Sequence, residues 1–383
     1  MDICVFNPFF YPYSGGTETV ILEVYRRLAK RHNVTVITSE FGGRGLPNRD
    51  EVYGIDVVRL RSRSMIIPGA PLPYIFMDGI DRMADVHKSD IYHINNRFQY
   101  SMSLVDRIRR NGKFAITIHN SLPSGIDAVT DGAGLVYDYI KGRRMVSAAD
   151  IITCVSKSAL ETTVPRYAQG RSYVVYNGVD YKRFRKRSKG SKSIRDIIKR
   201  FGLDSITILD TGRLVSQKGH IYLIRAVERL LRYYDVKLLI LGDGPDRAML
   251  ERRCIDLGVK GSVIFGGKVQ HEMAPYYYNA ADLFSLPSTY EPASIAVLEA
   301  MASEVPVVAS RVGGVPEMLG RSGMYVRPRD EDALFRSLRR VITMNERERG
   351  RMVRSGRDKV MREHDWDKIA KRYEELFYNT IRY

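Results

Sequence analysis

The chain has 383 residues, of which 44% are hydrophobic and 27% are charged. This composition is typical of a globular protein with ample core and excludes a fibrous or disordered chain, and the length favours two domains over one. The 61 Lys and Arg residues outnumber the 44 Asp and Glu residues and give a net charge of +17. Such a charge implies an anionic partner, for which nucleic acid, an anionic membrane face and phosphorylated substrates all qualify.

The opening residues, MDICVFNPFF, have no basic leader before an apolar run, so we expect mature structure there rather than a signal peptide. No apolar run approaches the roughly 20 residues that a membrane-spanning helix needs. Cys4, Cys154 and Cys254 are widely spaced, each in or beside an apolar segment. They predict buried free thiols in a reducing compartment, and hence a cytoplasmic protein.

The first half of the sequence alternates short apolar runs with helical patterns, such as 17–31 and 99–110. The runs are rich in β-branched and aromatic residues, which favours strands. This alternation predicts a parallel, doubly wound α/β sheet. The predicted strands are Ile3–Asn7, Val34–Thr38, Ile55–Leu60, Ile91–Ile94, Phe114–Ile118, Ile151–Val155 and Tyr173–Tyr176.

A strongly basic segment follows the motif NGVD. Between Lys182 and Arg200 ten basic residues face one acid, and we interpret 182–200 as a linker that is either solvated or faces a membrane or phosphate groups. The strands predicted after it are Ile206–Asp210, Val236–Leu241, Val263–Phe265, Leu283–Leu286, Val305–Ala309 and Met324–Val326. The sequence therefore predicts two Rossmann-like domains facing each other across a cleft, 1–181 and 201–365, with a C-terminal helix, 366–383, that packs back on the first.

The stretch 290–302, YEPASIAVLEAMA, holds the most informative residues. Ser294 is expected to cap a helix, because apolar residues recur after it at helical spacing. Glu291 then lies in a loop at the carboxyl end of a strand, where open α/β sheets bind ligands. A phosphate would repel this carboxylate, so Glu291 should face an uncharged, polyhydroxylated group such as a sugar. Glu299 either faces solvent or accepts hydrogen bonds from a specific donor, for which ribose hydroxyls are suited.

Three other loops carry candidate ligand-binding residues. Gly15 and Gly16 precede a helix, where bare amides attract anions, but such a pair is also typical of a plain turn. Arg213 and Lys218 follow a strand and either clamp a diphosphate or are surface residues of a basic chain. His119 also follows a strand, and it is either functional or a structural hydrogen-bonding group.

No metal site is expected. The acidic groups Asp330-Glu331-Asp332 and Asp365-Trp366-Asp367 match a pattern that holds divalent ions in some enzymes, but both precede helical segments and are interpreted as first-turn acids. The sequence has no His pair at zinc spacing, no P-loop and no serine nucleophile elbow.

Together these motifs resemble the retaining glycosyltransferases of family 4, which have the GT-B fold. The resemblance runs through almost the whole chain. It rests on Gly15-Gly16, His119, NGVD, GRLVSQKG from Gly212, GDGP, and the Glu-x7-Glu pair of Glu291 and Glu299 followed by EAMA. The combination is highly specific, although none of its pieces is specific alone.

The resemblance implies transfer of a sugar from a nucleotide-diphosphate donor, a UDP- or GDP-sugar, with retention at the anomeric carbon and without a metal or cofactor. By the family pattern, Arg213 and Lys218 hold the donor diphosphate. Glu291 binds the donor sugar, Glu299 binds the ribose, and His119 lies near the sugar. The catalytic residues implied are therefore His119, Arg213, Lys218 and Glu291.

One departure from the family pattern concerns Ala293 and Ser294, where many members have Phe-Gly or Leu-Gly. The backbone amides there still suit a phosphate, and the Ser294 hydroxyl can assist. Both residues therefore stay in the predicted donor-binding set, together with Gly15 and Gly16.

The acceptor is left open between a lipid-linked sugar and a soluble sugar or polysaccharide. A basic, helix-rich N-terminal half favours the first, and with it peripheral contact to the inner face of an anionic membrane. A sugar-nucleotide epimerase or hydrolase on the same fold is the alternative enzyme. Net charge alone suggests a nucleic-acid binder, but the sequence lacks interleaved aromatic stacking platforms, so no specific nucleic-acid partner is expected.

Overall fold

The computed structural model describes residues 1–13, 15–41, 45–65, 73–97, 100–120, 132 and 135–382. The chain divides into two compact units. The first unit comprises Met1–Asn177 and the segment from Trp366 onward, and the second comprises Gly178–Asp365. Each unit is built on its own sheet of mainly parallel strands.

The strands of the first unit in the described ranges are β1 (Asp2–Phe6), β2 (Asn33–Ser39), β3 (Arg49–Val52), β4 (Ile55–Leu60), β5 (Ser62–Met65), β6 (Tyr74–Met77), β7 (Ile91–Asn95), β8 (Lys113–Ile118), β9 (Ile151–Cys154) and β10 (Ser172–Val174). Eight of them form a sheet in the order β10-β9-β8-β7-β1-β2-β4-β3, parallel except for the β3–β4 pair. Strands β5 and β6 form a separate antiparallel hairpin. The strand order reverses at β1, which is where doubly wound sheets bind ligands.

The helices of the first unit lie between its strands in sequence. Those before Asn177 are α1 (Gly16–Leu28), α2 (Met83–Val86), α3 (Met102–Asn111), α4 (Arg143–Ala148) and α5 (Lys157–Thr163), with 3-10 turns at Ile80–Arg82 and Arg166–Arg171 and a π-helical turn at Asp138–Gly142. Helix α3 illustrates why these segments form helices. Its N-cap Ser101 accepts a hydrogen bond from the Leu104 N–H, and its apolar face is buried at Leu104, Val105 and Ile108.

A six-stranded, fully parallel sheet forms the second unit, in the order β13-β12-β11-β14-β15-β16. Its strands are β11 (Ile206–Thr211), β12 (Val236–Leu241), β13 (Val263–Gly267), β14 (Leu283–Leu286), β15 (Val307–Ser310) and β16 (Met324–Val326). Its helices are α6 (Lys192–Phe201), α7 (His220–Leu230), α8 (Arg247–Asp256), α9 (Ala274–Ala280), α10 (Ile295–Ala302), α11 (Val315–Leu319), α12 (Glu331–Ile342) and α13 (Glu346–Glu363), with a 3-10 turn at Ser216–Lys218. The prediction of two doubly wound α/β units is confirmed.

The basic segment 182–200 belongs to the second unit and differs from the linker that the sequence suggested. Its second half forms most of helix α6, in which Ile194 and Ile197 are buried in the core of the unit. The physical reason is an apolar stripe at helical spacing within the basic run, which lets the charges point to solvent while the isoleucines pack. The first half is anchored as well, because Phe184 is buried and the Arg187 N–H donates to Asn279 Oδ1 at 2.6 Å.

The last helix, α14 (Trp366–Arg382), packs on the first unit. Its Tyr373 ring lies 5.9 Å from the His93 ring of β7. Two side-chain contacts join it to the region of α1: Arg27 Nε lies 2.6 Å from Asp367 Oδ1 in an ion pair, and His32 Nε2 lies 2.6 Å from Glu374 Oε1.

Candidate functional site

Most predicted residues of the second unit lie in loops that meet at one edge of its sheet, and Glu299 lies in the helix that follows one of these loops. Strands β11 and β14 are parallel neighbours, so the loops that follow them start at the same edge. Gly219 has φ +67, and a Cβ there would lie 2.2 Å from the carbonyl oxygen of Pro287. Gly313 has φ +48, and a Cβ there would lie 2.2 Å from the carbonyl oxygen of Glu291. These two glycines allow the loops after β11 and β15 to pack against the loop after β14.

Lys218 and Glu291 are paired at this edge. Lys218 Nζ lies 2.5 Å from Glu291 Oε2, and the side chains are 20% and 9% exposed. Backbone contacts tie their loops together, since the Thr289 N–H donates to the carbonyl of Gln217 at 2.8 Å. Ser288 Oγ also donates to Glu291 Oε2 at 3.5 Å. The structure therefore joins two of the predicted residues in one largely buried ion pair.

Arg213 lies in the same loop as Lys218 but has an exposed side chain. Its backbone is held in place, because its carbonyl accepts a hydrogen bond from His220 Nε2 at 3.1 Å and the next residue, Leu214, donates to the carbonyl of Asp243 at 3.1 Å. Within the described ranges the guanidinium makes no hydrogen bond or ion pair. Arg213 therefore has a fixed backbone and a guanidinium whose N–H groups are available to donate hydrogen bonds to an anionic ligand.

Glu299 is buried inside helix α10 rather than on a solvent-facing stripe. Tyr278 Oη donates to Glu299 Oε2 at 2.8 Å, and His271 Nδ1 lies 3.8 Å from Glu299 Oε1. Burial raises the pKa of Glu299 to about 7, although the Tyr278 hydrogen bond opposes this. Of the two alternatives, the structure favours the one in which Glu299 accepts hydrogen bonds from specific donors.

Ser294 caps helix α10, as predicted, with its hydroxyl accepting from the Val297 N–H at 3.4 Å. The Ser294 N–H faces Met318 Sδ at 3.2 Å. Ala293 is partly buried against the apolar core of the unit. Both residues therefore lie at the N-terminus of α10, where the helix macrodipole favours an anion.

Gly15 and Gly16 open helix α1 in the first unit. Gly15 is the N-cap, and a Cβ there would lie 2.4 Å from Oε2 of Glu18, so a side chain at this position would collide with a buried carboxylate. Gly16 is exposed, and an added Cβ would meet no atom of the described residues within 4 Å. The two glycines thus differ: a side chain at Gly15 would require the Glu18 carboxylate to move, whereas Gly16 leaves the helix N-terminus open.

His119 is buried at the carboxyl end of β8, 7% exposed. Its Nε2–H donates to Asn95 Oδ1 at 2.9 Å, and its backbone N–H donates to Asn96 Oδ1 at 3.2 Å. Burial lowers the pKa of His119 to about 3, so the imidazole is neutral at physiological pH. With Nε2 as the donor, Nδ1 carries a lone pair that accepts hydrogen bonds.

Two protein-family models match separate parts of the chain. The model described as Glycosyltransferase Family 4 matches residues 14–183, and the model described as Glycosyl transferases group 1 matches residues 205–344. The chain belongs to glycosyltransferase family 4. Its activity is therefore that of a glycosyltransferase.

Similar proteins support this assignment. An uncharacterized glycosyltransferase from Methanocaldococcus jannaschii is 29% identical over 89% of this chain and 88% of its own length. A GDP-mannose-dependent alpha-(1-6)-phosphatidylinositol monomannoside mannosyltransferase from Mycolicibacterium smegmatis is 33% identical over 61% of this chain and 63% of its own length. The solved structure of Anabaena HepE in complex with UDP and glucose covers 99% of this chain and 100% of HepE, with a TM-score of 0.79 and 18% identity. The predicted GT-B fold is confirmed.

Some residues that contact the predicted site residues within each unit were not predicted from the sequence. Tyr278 stands in a run of three tyrosines in α9, and nothing in that run indicates which ring reaches Glu299. Asn95 and Asn96 did leave a signal, because two polar residues end the buried strand β7, which is paired with the strand that precedes His119. Side chains at that place are candidates for ligand contact in parallel sheets.

The acidic motifs of this glycosyltransferase act in helix starts and ion pairs. Asp330 caps α12, Glu331 pairs with Arg225 at 2.6 Å and Asp332 pairs with Arg229, which confirms their interpretation as first-turn acids. Within the part of the chain that the structure describes, no group of three or more His, Cys, Asp or Glu side chains is arranged to hold a metal ion.

Proposed function

We propose that this glycosyltransferase moves a hexosyl group from a UDP- or GDP-sugar to its acceptor with retention at the anomeric carbon. The observation that carries the proposal is the Lys218–Glu291 ion pair, whose lysine lies in the same loop as the exposed Arg213. Two cations suited to a diphosphate and one carboxylate suited to sugar hydroxyls lie together at the carboxyl edge of a parallel sheet.

In this proposal, binding of the donor gives Lys218 and Glu291 new partners. Lys218 turns from Glu291 to the diphosphate, and Glu291 accepts hydrogen bonds from hydroxyls of the donor sugar. Because each group replaces one polar partner by another, neither is left buried and unpaired. Arg213 adds a bidentate contact to the diphosphate. Glu299 accepts from the ribose hydroxyls as a carboxylate, while Tyr278 holds its Oε2 atom.

The reaction proceeds on one face of the donor sugar. The acceptor oxygen forms a bond to the anomeric carbon, the bond from that carbon to the diphosphate oxygen breaks, and the departing oxygen takes the acceptor proton. Negative charge grows on the diphosphate, and Arg213 and Lys218 stabilise it in place of a divalent ion. Neutral His119 serves as a hydrogen-bonding group for a ligand hydroxyl rather than as a general base, since its pKa is lowered to about 3.

We further propose that the acceptor is lipid-linked and that the protein meets it at an anionic membrane surface. HepE was solved with UDP and glucose, and the Mycolicibacterium relative is named for a GDP-mannose donor and a phosphatidylinositol monomannoside. These names support a nucleotide-sugar donor, and the second supports a lipid acceptor. No helix of the described ranges combines the length and the apolar character needed to cross a membrane.

The support within this chain is an exposed helical face at 135–144 in the first unit. Its large apolar side chains are Leu135, Val136, Tyr139 and Ile140, exposed by 56%, 60%, 74% and 59%. Arg143 and Arg144 are exposed one turn later. The opposite side is anchored by Asp138, whose Oδ1 lies 3.4 Å from Arg97 Nη2 in a buried ion pair. Apolar side chains next to arginines are what an anionic lipid interface binds.

A thermal-shift panel of UDP- and GDP-sugars tests the donor, because a ligand that binds only the folded state raises the melting temperature with its concentration. We expect one nucleotide class to stabilise the protein, and we expect NMR of the product to show the anomeric configuration of the donor. Inversion of that configuration would contradict retention. Donor turnover that is independent of every acceptor would instead indicate a hydrolase or epimerase.

A further inference from the structure

A buried Asp–His pair lies behind the loop that carries Arg213. His220 Nδ1 lies 2.7 Å from Asp210 Oδ2, and the two residues are 2% and 1% exposed. The other ring nitrogen, Nε2, lies 3.1 Å from the carbonyl oxygen of Arg213. Since a carboxylate and a carbonyl both only accept, each ring nitrogen carries a hydrogen and the imidazole is a cation.

The surroundings of His220 agree with this charge. Burial lowers the pKa of His220, but Asp210 and the Arg213 carbonyl outweigh that effect and raise it above the ordinary value, even though Lys218 opposes them. Burial raises the pKa of Asp246, in the loop after β12, and the nearby His220 opposes this effect. Lys218 lies in the loop that carries Arg213, and His220, two residues later, places a second cation at the end of that loop.

The place of this cation is unusual for a purely structural residue. His220 is the first residue of helix α7, where the macrodipole disfavours positive charge. A buried charge at such a position is expensive unless an anion compensates it, and Asp210 supplies that anion for His220, as Glu291 does for Lys218. The side chain of Arg213 has no such anion in the described ranges, and a diphosphate would supply one.

We propose that Asp210 and His220 are positioning residues for the donor diphosphate. They fix the position of the Arg213 carbonyl and therefore of the Arg213 backbone. The Arg213 side chain, which has no partner in the described ranges, then extends from a fixed point. Asp210 and His220 also hold a positive charge behind the phosphate-binding loop. The inference rests on the proposed function, in which Arg213 and Lys218 bind the diphosphate.

Two substitutions separate the parts of this role. In His220→Asn the amide takes the place of Nδ1, so it keeps the contact to Asp210 but falls short of the Arg213 carbonyl. In His220→Gln the amide takes the place of Nε2 and reaches the carbonyl. Titration calorimetry compares UDP and GDP with uridine and guanosine. We expect His220→Asn to weaken the diphosphate about tenfold while leaving the nucleoside unchanged, and His220→Gln to recover part of the loss.

A matched control is His32→Asn in the first unit, whose amide takes the place of Nδ1 and therefore loses another buried His–acid contact, in which Nε2 of His32 lies 2.6 Å from Glu374 Oε1. It should lower the melting temperature without changing diphosphate affinity. Should His220→Asn not fold, Asp210→Asn, which removes the charge that holds the imidazolium, takes its place with the same expected loss. Equal losses for nucleoside and diphosphate, or no loss in folded variants, overturn the inference. A wild-type protein that binds neither UDP nor GDP overturns the proposed function as well.

Discussion

Lys218 Nζ lies 2.5 Å from Glu291 Oε2, so the ammonium proposed for the diphosphate is held by the carboxylate proposed for the sugar. The diphosphate must therefore compete with Glu291 for Lys218. This competition makes the two halves of donor recognition separable by substitution, because removing the carboxylate abolishes the sugar contact and releases the lysine.

Glu291→Gln should lower transfer at least about 100-fold, because the sugar loses a contact that a preorganised carboxylate supplies. Affinity for the nucleoside diphosphate should be retained or improved, since Lys218 loses its competitor. Initial rates and calorimetry measure the two effects. Glu228→Gln, which breaks an exposed pair with Arg232, is the control and should change neither. Loss of diphosphate binding in folded Glu291→Gln would contradict this division of roles.

Arg213→Lys should lower kcat/KM about tenfold or more, because lysine keeps the charge but cannot supply the bidentate fork. The melting temperature should stay the same, since the Arg213 side chain is exposed. Arg252→Lys replaces another exposed arginine and should leave both quantities unchanged. Unchanged kinetics in Arg213→Lys would argue against a contact to the diphosphate.

The affinity for the nucleoside diphosphate should depend on pH through Glu299. Burial raises the pKa of this carboxyl group to about 7. Ribose hydroxyls donate to the carboxylate, so affinity should increase as pH rises through about 7. The folded-state pKa lies above the unfolded one, so the folded state binds the proton more tightly and the contribution of Glu299 to stability decreases as pH rises from the unfolded pKa to the folded one.

Two variants check this assignment to Glu299. Glu299→Gln should remove the step in affinity near neutral pH. Tyr278→Phe should move the step to higher pH, because the Tyr278 hydrogen bond lowers the pKa of Glu299. Calorimetry across neutral pH measures both, and a step that survives in Glu299→Gln would belong to another group.

Tyr139→Ser combined with Ile140→Ser should weaken flotation with anionic vesicles, because both side chains belong to the exposed face 135–144. Melting temperature should be unchanged, since these side chains are 74% and 59% exposed. The control pair Met249→Ser and Ile255→Ser removes apolar side chains that are 46% and 58% exposed on α8 of the second unit. Equal flotation of both double variants, or none for wild type at low salt, would contradict membrane contact through this face.

The sequence predicts the strands of both sheets well where they are apolar. Strand β4 has the predicted bounds Ile55–Leu60, and most others differ by one or two residues at an end. Strands β3, β5 and β6 escaped prediction. The first two, RDEV and SRSM, are short and polar, and only their pairing with a neighbouring strand makes them strands.

The sequence predicts those site residues whose role depends on their neighbours in sequence. It does not predict contacts between residues that are far apart in sequence. Ser294 as a cap and Glu291 in the loop after β14 follow from their neighbours in sequence. The partner of Glu299, by contrast, is Tyr278, 21 residues earlier, and that of Lys218 is Glu291, 73 residues later. Spacing and residue type do not encode such pairs, because the fold of the whole unit brings them together.

Helix α14 reaches the first unit from the far end of the chain, with Tyr373 Oη 3.3 Å from Thr117 Oγ1. The chain is synthesised from its N-terminus, and domains generally fold as units during synthesis. The first unit therefore stays incomplete on the ribosome, with the apolar surface around His93 uncovered, until helix α14 emerges. The second unit, contiguous in sequence, emerges in full before that helix does.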